Sequence, residues 1–148
     1  DDLILDGVNI QDEITLPEIS EIVSEYASIP EVRAKLVNLQ RKMSEKYDVI
    51  MDGRDIGTVV LKNSKFKFFL TATPEERARR RFIELVNRGL DVSYDKLLED
   101  IIKRDYIDSN REVDPLRKAD DAIEIDSSNY NINEVTEIIC NFIENALQ

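Results

Sequence analysis

From residue 48 onward, short β-favouring runs alternate with amphipathic helix patterns, and this alternation limits the fold more than any other feature of the chain. Val49–Met51 and Phe66–Leu70 each predict a strand, and Ala122–Ile125 predicts a third. Val59–Leu61 predicts a short extension. Parallel strands need a helix-length crossover between them, so strands that alternate with helices favour a parallel sheet covered by those helices. The sequence therefore predicts an α/β fold.

The helices of this part have recognisable boundaries. Thr73-Pro74-Glu75-Glu76 combines an N-cap threonine with proline at the first helical position, and it predicts a helix that ends at Gly89. A second helix is predicted from about Tyr94 to Ser109, and a third from about Ile132 to Leu147. The face that the third helix is predicted to bury consists of Val135, Ile138, Ile139 and Phe142.

Residues 1–47 follow a different pattern. Residues 3–10 predict a β-hairpin with a tight Asp-Gly turn. Capping-box patterns that begin at Thr15 and Ser28 predict two helices, the second of which ends near Lys46. Their predicted apolar faces consist of Ile19, Ile22, Val23 and Tyr26 in the first helix and Val32, Leu36, Leu39 and Met43 in the second. This part is predicted to be a small hairpin-and-two-helix unit.

The segment Asp52-Gly53-Arg54-Asp55-Ile56-Gly57-Thr58 directly follows the first predicted strand of the α/β part, where such proteins commonly place their chemistry. Its aspartates can accept hydrogen bonds from amino or hydroxyl groups while Arg54 donates to an anion, which suits a ligand that is part base or sugar and part phosphate. The residues alone leave open whether Asp52 and Asp55 hold Mg²⁺, act as a base or bind amino groups. An Asp-Gly turn with local salt bridges is the alternative. No lysine follows the glycine pair, so the segment is not a Walker A loop.

The composition restricts partners and chemistry. The 31 acidic residues outnumber the 20 basic ones and give a net charge of −11, which disfavours generic binding to nucleic acid or to an anionic membrane. The chain has no histidine, which removes His-based catalysis and most zinc sites. Cys140 is the single cysteine, and it predicts a cytoplasmic setting without a disulfide framework. Among these 148 residues the sequence predicts neither a signal peptide nor a transmembrane run.

Arginines are concentrated on the helix predicted after Thr73. Arg77, Arg81 and Arg88 fall within about 40° of one another on a helical wheel, with Arg80 at the margin of the stripe. Glu84 lies in the same stripe, so a solvated face with ion pairs is one interpretation. A surface that binds a small anion is the other.

The next predicted helix carries a stripe that changes character along its length. Leu97 and Ile101 are apolar, whereas Arg104, Asp108 and Arg111 continue the stripe with charges. This switch indicates a helix that packs on the core and then projects over a polar cavity. Two guanidinium groups with an aspartate between them suit the clamping of a phosphate. A solvent-exposed helix end with ion pairs is the alternative.

Read in order, four motifs resemble those of the bacterial cytidylate (CMP) kinase family. They are Ser24…Pro30-Glu31-Val32-Arg33, the segment 52–60, the segment 69–81 and Arg104-Asp105…Asp108-Ser109-Asn110-Arg111. The resemblance covers nearly all 148 residues. It implies an α/β, partial P-loop nucleoside monophosphate kinase fold, in which residues 1–47 form the CMP-binding insert. Residues 48–148 would be the remainder of the kinase core, with a lid at about 104–118.

The resemblance also implies an activity and its residues. The activity is transfer of the ATP γ-phosphoryl group to CMP or dCMP by a monomer, with Mg²⁺ carried by ATP rather than bound directly by the chain. The implied CMP-binding residues are Ser24, Arg33 and Asp55 for the cytosine, Arg54 and Arg111 for the phosphate, and Asp108 for the sugar hydroxyls. The implied catalytic residues are Arg54, Arg80 and Arg104, which neutralise charge, and Asp52, near the Mg²⁺–phosphate centre.

One family motif is not found among the 148 residues. The family begins with a strand and a Gly-rich loop that ends in Gly-Lys-Ser/Thr and holds the ATP phosphates. We therefore expect this chain to be the C-terminal two thirds of such a kinase and to have negligible activity by itself. A non-catalytic nucleotide-binding module is the alternative, and a Gly-x-x-x-x-Gly-Lys-Ser/Thr element within about 60 to 80 residues upstream would favour the kinase. The preference for CMP over UMP is implied by the resemblance alone.

Overall fold

The structure is a computed structural model that describes residues 3–148, apart from the side chains of residues 20 and 21. In chain order its elements are the strands β1 (Ile4–Leu5) and β2 (Val8–Asn9), a 3-10 turn (Glu13–Thr15), the helices α1 (Pro17–Ala27) and α2 (Pro30–Lys46), a π-helical turn (Ile56–Val60), β3 (Phe68–Thr71), α3 (Pro74–Asn87), α4 (Tyr94–Asn110), β4 (Ile123–Asp126) and α5 (Ile132–Leu147). None of the helices described here is long and apolar enough to cross a bilayer.

A parallel pair of strands organises the second part of the described chain. β3 and β4 pair in parallel, with Phe68 opposite Ile123 and Leu70 opposite Ile125. α3 and α4 lie between them in sequence and pack extensively on each other. Leu85 on α3 is fully buried. The predicted α/β class is thereby confirmed.

Several predicted elements are confirmed because their signals are local. The β1–β2 hairpin turns through Asp6 and Gly7, both with positive φ (50° and 84°), as a tight Asp-Gly turn requires. The Thr73 hydroxyl accepts a hydrogen bond from the N–H of Glu76 at 3.2 Å and caps α3. Gly89, with φ of 79°, follows the end of that helix as predicted.

Two predicted helix starts are wrong. Thr15 lies in the 3-10 turn and its hydroxyl donates to a carbonyl three residues earlier, so α1 begins later, at Pro17. The Ser28 hydroxyl likewise donates to a carbonyl three residues earlier, and α2 begins at Pro30. In both helices a proline at the first helical position sets the start, and neither has a side-chain cap.

Two predicted strands are also wrong. The segment Val59–Leu61 belongs mostly to the π-helical turn, where the N–H of Val60 donates to the carbonyl of Asp55 and the N–H of Leu61 to that of Ile56. Val49–Met51 is irregular. A strand exists only beside a hydrogen-bonding neighbour, and in the described part of the chain no strand pairs with this segment.

The apolar faces of the helices are less covered than predicted. On α2 the buried residues are Arg33 and Val37, whereas Leu36 and Leu39 are about half exposed, because α2 packs on the π-helical turn through its Arg33 side. The predicted apolar residues of α1 with described side chains are likewise exposed. On α5 the predicted burial of Phe142 is wrong, since it is 45% exposed.

Helix capping offers a direct test of these assignments. Thr73→Ala removes the acceptor for the N–H of Glu76, so we expect it to lower the free energy of unfolding by about 1 kcal/mol. Ser28→Ala removes a hydroxyl that caps no helix, and we expect a change of less than about 0.5 kcal/mol. Urea unfolding of the full-length protein measures both values. An equal fall in the free energy of unfolding for both variants would contradict either the cap that Thr73 gives α3 or the absence of a side-chain cap on α2.

Candidate functional site

The interior of the described chain holds more polar than apolar residues, seven against five. The polar ones are Ser24, Arg33, Asp55, Lys67, Asp108, Arg111 and Ser127. Five of them, all except Lys67 and Ser127, are predicted to contact a ligand: the residue pattern identifies Asp55, Asp108 and Arg111, and the resemblance to a known family adds Ser24 and Arg33. Burial of a charged group costs free energy unless the charge is paired. The concentration of such groups therefore marks a built site rather than a solvated surface.

The site draws on segments that are distant in sequence. Ser24 lies on α1 and Arg33 on α2, while Arg54 and Asp55 directly precede the π-helical turn. Arg104 and Asp108 lie on α4, and Arg111 follows the last residue of that helix. We call the charged members, together with Asp114, the arginine–carboxylate cluster: Arg33, Arg54, Asp55, Arg104, Asp108, Arg111 and Asp114.

Arg33 is held by three acceptors. It is only 7% exposed, and its Nη2 donates to Oδ2 of Asp55. Its Nε donates to Oδ2 of Asp114 at 3.2 Å, and its Nη1 to the carbonyl of Ala27 at 3.2 Å. The planar guanidinium group is thereby fixed against Asp55, the aspartate predicted to bind an amino group.

Asp108 is the centre of the cluster. It is 2% exposed, and its Oδ2 accepts a hydrogen bond from Nε of Arg54 at 3.0 Å. Nε of Arg104 lies 3.7 Å from Oδ2, and Nη1 of Arg111 lies 3.7 Å from Oδ1. Both distances bring opposite charges together but are too long for hydrogen bonds. The charged half of the predicted stripe thus converges on one buried carboxylate.

Three buried polar atoms have no hydrogen-bond partner within the described residues. They are Oγ of Ser24, Nε of Arg104 and Nη2 of Arg111. A buried donor without a partner costs free energy, so such atoms mark places where a ligand would supply acceptors. The cluster also contains four guanidinium groups and three carboxylates, which leaves one positive charge uncompensated. The site is therefore suited to an anion.

The pKa values of two arginines in the cluster also indicate a site that is suited to an anion. Burial lowers the pKa of the Arg104 guanidinium, and the positive charge of Arg54 lowers it further. Burial also lowers the pKa of Arg111, where the charge of Arg33 adds to the effect and Asp55 opposes it. A lowered guanidinium pKa means that the surroundings disfavour the positive charge. A bound anion would offset that penalty at both residues.

Three predicted residues lie outside the cluster. Ser24 is buried on α1, and its hydroxyl has no hydrogen-bond partner among the described residues. Arg80 donates through Nη2 to the carbonyl of Ser127 at 2.5 Å and through Nε to Glu76 at 2.8 Å, so it ties α3 to the loop after β4. Asp52 is exposed and has no hydrogen bond or ion pair within residues 3–148. Within residues 3–148, no group of three or more carboxylates or thiols could hold a metal ion. The roles of Arg80 and Asp52 stay predictions.

The arginine stripe of α3 serves as a set of tethers. Arg77 forms a bidentate pair with Asp105 at 2.9 and 2.5 Å, which ties α3 to α4. Arg81 donates to the carbonyl of Thr15, and Arg88 donates to the hydroxyl of the same residue at 2.8 Å. Of the two interpretations of this stripe, ion pairing therefore describes it better than anion binding.

Sequence reasoning missed Asp114. Its carboxylate binds Arg33, and its carbonyl accepts a hydrogen bond from Nε of Arg111 at 2.7 Å. The position has a φ of 49°, which few residues other than glycine, asparagine and aspartate adopt. An aspartate before Pro115, just beyond the charged stripe, is a turn signal that could have drawn attention to it.

A separate open groove of about 580 Å³ lies between the end of α2 and the π-helical turn. Its lining includes Arg41, Tyr47 and Lys62, and none of the predicted site residues. The Arg41 guanidinium donates to the carbonyls of Val59 and Val60 at 2.6 and 3.2 Å, so it holds the π-helical turn in place. None of the buried unpaired polar atoms of the described residues belongs to the lining of this groove.

Comparison with known proteins places the chain among relatives. A family model described as "Cytidylate kinase" matches residues 1–145. A protein named cytidylate kinase from Clostridium perfringens (strain 13 / Type A) is 66% identical over 144 residues, which is 97% of this chain. A protein of the same name from Clostridium acetobutylicum is 60% identical over 147 residues, which is 99% of this chain. A Clostridium tetani protein of the same name is 55% identical over 147 residues. The chain spans about two thirds of the length of these relatives, namely 66%, 68% and 65%.

The position of Asp108 predicts a large effect on stability. Asp108→Asn removes the negative charge shared by three buried or half-buried guanidinium groups, so we expect the free energy of unfolding to fall by about 3 kcal/mol. Asp105→Asn is the matched control on the same helix. Because its pair with Arg77 is about one-third exposed, it should cost at most about 1 kcal/mol. Urea unfolding in chloride buffer measures both.

Inorganic phosphate supplies a second readout for the same variants. An anion that enters the cluster replaces part of the charge lost in Asp108→Asn. Phosphate should therefore raise the Tm of Asp108→Asn more than that of Asp105→Asn, at equal ionic strength. The same rise in both variants would contradict the expectation that the bound anion replaces the charge of Asp108.

Proposed function

The chain belongs to the cytidylate kinase family, and from this premise we propose that the full-length protein transfers the γ-phosphoryl group of ATP to CMP or dCMP. The products would be ADP and CDP or dCDP. The observation that carries the proposal is the buried arginine–carboxylate cluster with its unpaired donors. Within this one site the carboxylates offer acceptors to a base, and the guanidinium groups offer donors to a phosphate.

The base-binding side fits cytosine. Cytosine presents an amino donor, and the Asp55 carboxylate can accept from it. Arg33, fixed by its three acceptors, supplies donors beside that carboxylate. We propose that the unpaired hydroxyl of Ser24 also binds the base. Uracil presents a carbonyl where cytosine has the amino group, and that oxygen would face the Asp55 charge. These contacts favour CMP over UMP.

The phosphate side fits a dianion. We propose that Arg54 and Arg111 hold the CMP phosphate, since Nη2 of Arg111 is buried and unpaired. Guanidinium groups bind phosphate oxygens through charge-assisted hydrogen bonds. We propose that Asp108 contacts the sugar hydroxyls. Its Oδ1 accepts no hydrogen bond within the described residues, because Arg111 stays 3.7 Å away.

The transfer step requires positioning and charge neutralisation rather than a covalent catalyst, so a chain without histidine can support it. We propose that Arg54 and Arg104 stabilise the charge on the transferring group from within the cluster. Arg80 would act from α3, where its hydrogen bond to the carbonyl of Ser127 holds it against the loop after β4. Mg²⁺ would enter with ATP and neutralise part of the phosphate charge, and Asp52 is the carboxylate that we propose near it.

The domain assignment is part of the proposal. We propose that residues 1–47 form the CMP-binding insert of a P-loop nucleoside monophosphate kinase fold, residues 48–148 the rest of its core, and residues 104–118 a lid. In support, the hairpin, α1 and α2 follow one another, and the α2 side chain Arg33 binds Asp55 across the boundary. A cytoplasmic location and a monomeric state stay predictions.

A coupled assay tests the activity. We expect the full-length protein to form ADP from ATP and Mg²⁺ when CMP or dCMP is added, and kcat/KM for UMP to be lower by at least about 100-fold because its carbonyl faces Asp55. Production of ADP is the measurement, with a chelator of Mg²⁺ as the control. Binding of CMP without formation of ADP would instead favour a non-catalytic nucleotide-binding module.

Arg111→Ala tests the assignment of the acceptor phosphate. Loss of its charge-assisted hydrogen bonds should raise the KM for CMP by at least about tenfold and leave the KM for ATP within about twofold. Arg88→Ala is the control, because that side chain is a tether of α3 to Thr15. Steady-state kinetics with each substrate varied in turn gives both constants. An equal rise in both KM values would rule out the assignment.

A further inference from the structure

Asp114 adopts a backbone conformation that its surroundings must stabilise. Asp6 and Asp114 are the two non-glycine residues with positive φ among those described, at 50° and 49°. Asp6 precedes Gly7 in a hairpin turn that demands this conformation. Asp114 lies in no hairpin. Left-handed backbone at a residue other than glycine persists only where other contacts hold it, and such positions are frequent at functional sites.

The contacts that hold Asp114 are two arginines of the cluster. Its carboxylate Oδ2 accepts from Nε of Arg33 at 3.2 Å, and its backbone carbonyl accepts from Nε of Arg111 at 2.7 Å. The N–H of Leu116 then donates to the carbonyl of Asp108 at 2.7 Å and closes the turn back onto α4. One residue therefore binds the Nε atoms of two buried guanidinium groups.

This arrangement determines which atoms of the two arginines remain for a ligand. With both Nε atoms occupied, the Nη2 atoms of the two arginines face the same carboxylate, that of Asp55. Nη2 of Arg33 contacts Oδ2 of Asp55, and Nη2 of Arg111 lies 3.8 Å from Oδ1. Nη2 of Arg111 is the unpaired donor. The negative charge of Asp114 also counters the repulsion between the two guanidinium groups.

We propose that Asp114 is a positioning residue that orients two arginines of the CMP site. Arg33 lies on the base-binding side of that site, and Arg111 lies on its phosphate-binding side. This inference rests on the proposed function and deepens it. Asp114 need not touch the substrate, because it acts through the two arginines. Arg33 depends on the Asp114 side chain, whereas Arg111 depends on the Asp114 backbone.

Two substitutions separate the side chain from the backbone. Asp114→Asn keeps an acceptor oxygen without the charge, and Asp114→Gly removes the side chain, while both residues tolerate a positive φ and keep the carbonyl that binds Arg111. We expect the KM for CMP to rise about threefold in Asp114→Asn and about tenfold in Asp114→Gly, because a charge-assisted hydrogen bond is stronger than a neutral one. The KM for ATP should stay within about twofold in each.

Asp6→Gly is the matched control. It removes an aspartate at nearly the same φ, in a turn that holds no residue of the cluster. Asp114→Gly also leaves Nε of the buried Arg33 without its partner, so its Tm should fall, and relief of the left-handed backbone should offset part of that fall. A role in stability alone would lower the Tm and leave the KM for CMP unchanged, and that result would overturn the inference.

A double substitution tests whether Asp114 acts through Arg33. Arg33→Lys keeps the charge but has no Nε donor, so adding Asp114→Gly to it should change the KM for CMP by less than about twofold. Independent, multiplying effects of the two substitutions would overturn the inference. If the unchanged full-length protein phosphorylates CMP while the Asp114 variants keep its KM, only the role of Asp114 fails. If it does not phosphorylate CMP, the proposed function fails as well.

Discussion

The rest of the site depends on the ion pairs that three arginines form with the buried carboxylate of Asp108. It draws Arg54 from the loop before the π-helical turn, Arg104 from α4 and Arg111 from the turn after that helix towards one point. Buried ion pairs seldom stabilise a fold more than apolar residues of the same size would, because each charge loses its hydration. The cluster is therefore better explained by the binding of a charged ligand than by stability.

Polar contacts also join the first part of the described chain to the second. Arg33 on α2 binds Asp55, and Arg81 and Arg88 on α3 bind Thr15 in the 3-10 turn. The buried side of α2 is thus the side that carries an arginine, while its apolar residues are largely exposed. These contacts place charged groups between the two parts, where a ligand with both polar and anionic groups could contact each of them.

The sequence largely predicts which residues form the candidate site, but it does not predict which of them contact one another. The loop after residue 51 and the charged stripe of α4 identify Arg54, Asp55, Arg104, Asp108 and Arg111 as residues that suit a phosphate and a base, and the resemblance to cytidylate kinases adds Ser24 and Arg33. Asp114 was missed because its partner Arg33 is 81 positions away in the chain. The local Asp-Pro signal indicates a turn at this position, but it does not indicate that the carboxylate binds an arginine.

Local signals in the sequence were sufficient for the hairpin and for α3, because an Asp-Gly turn, a threonine cap and a terminal glycine each act within a few residues. Strand pairing and the burial of helix faces depend on contacts between segments that are distant in sequence. Val49–Met51 has a strand-like composition, yet a strand needs a hydrogen-bonding neighbour that no local pattern supplies. In the same way, helical periodicity identifies an apolar face of α2, but packing on Asp55 and the π-helical turn buries the Arg33 side. Pairing and burial depend on where the rest of the chain lies, whereas turns and caps depend on adjacent residues.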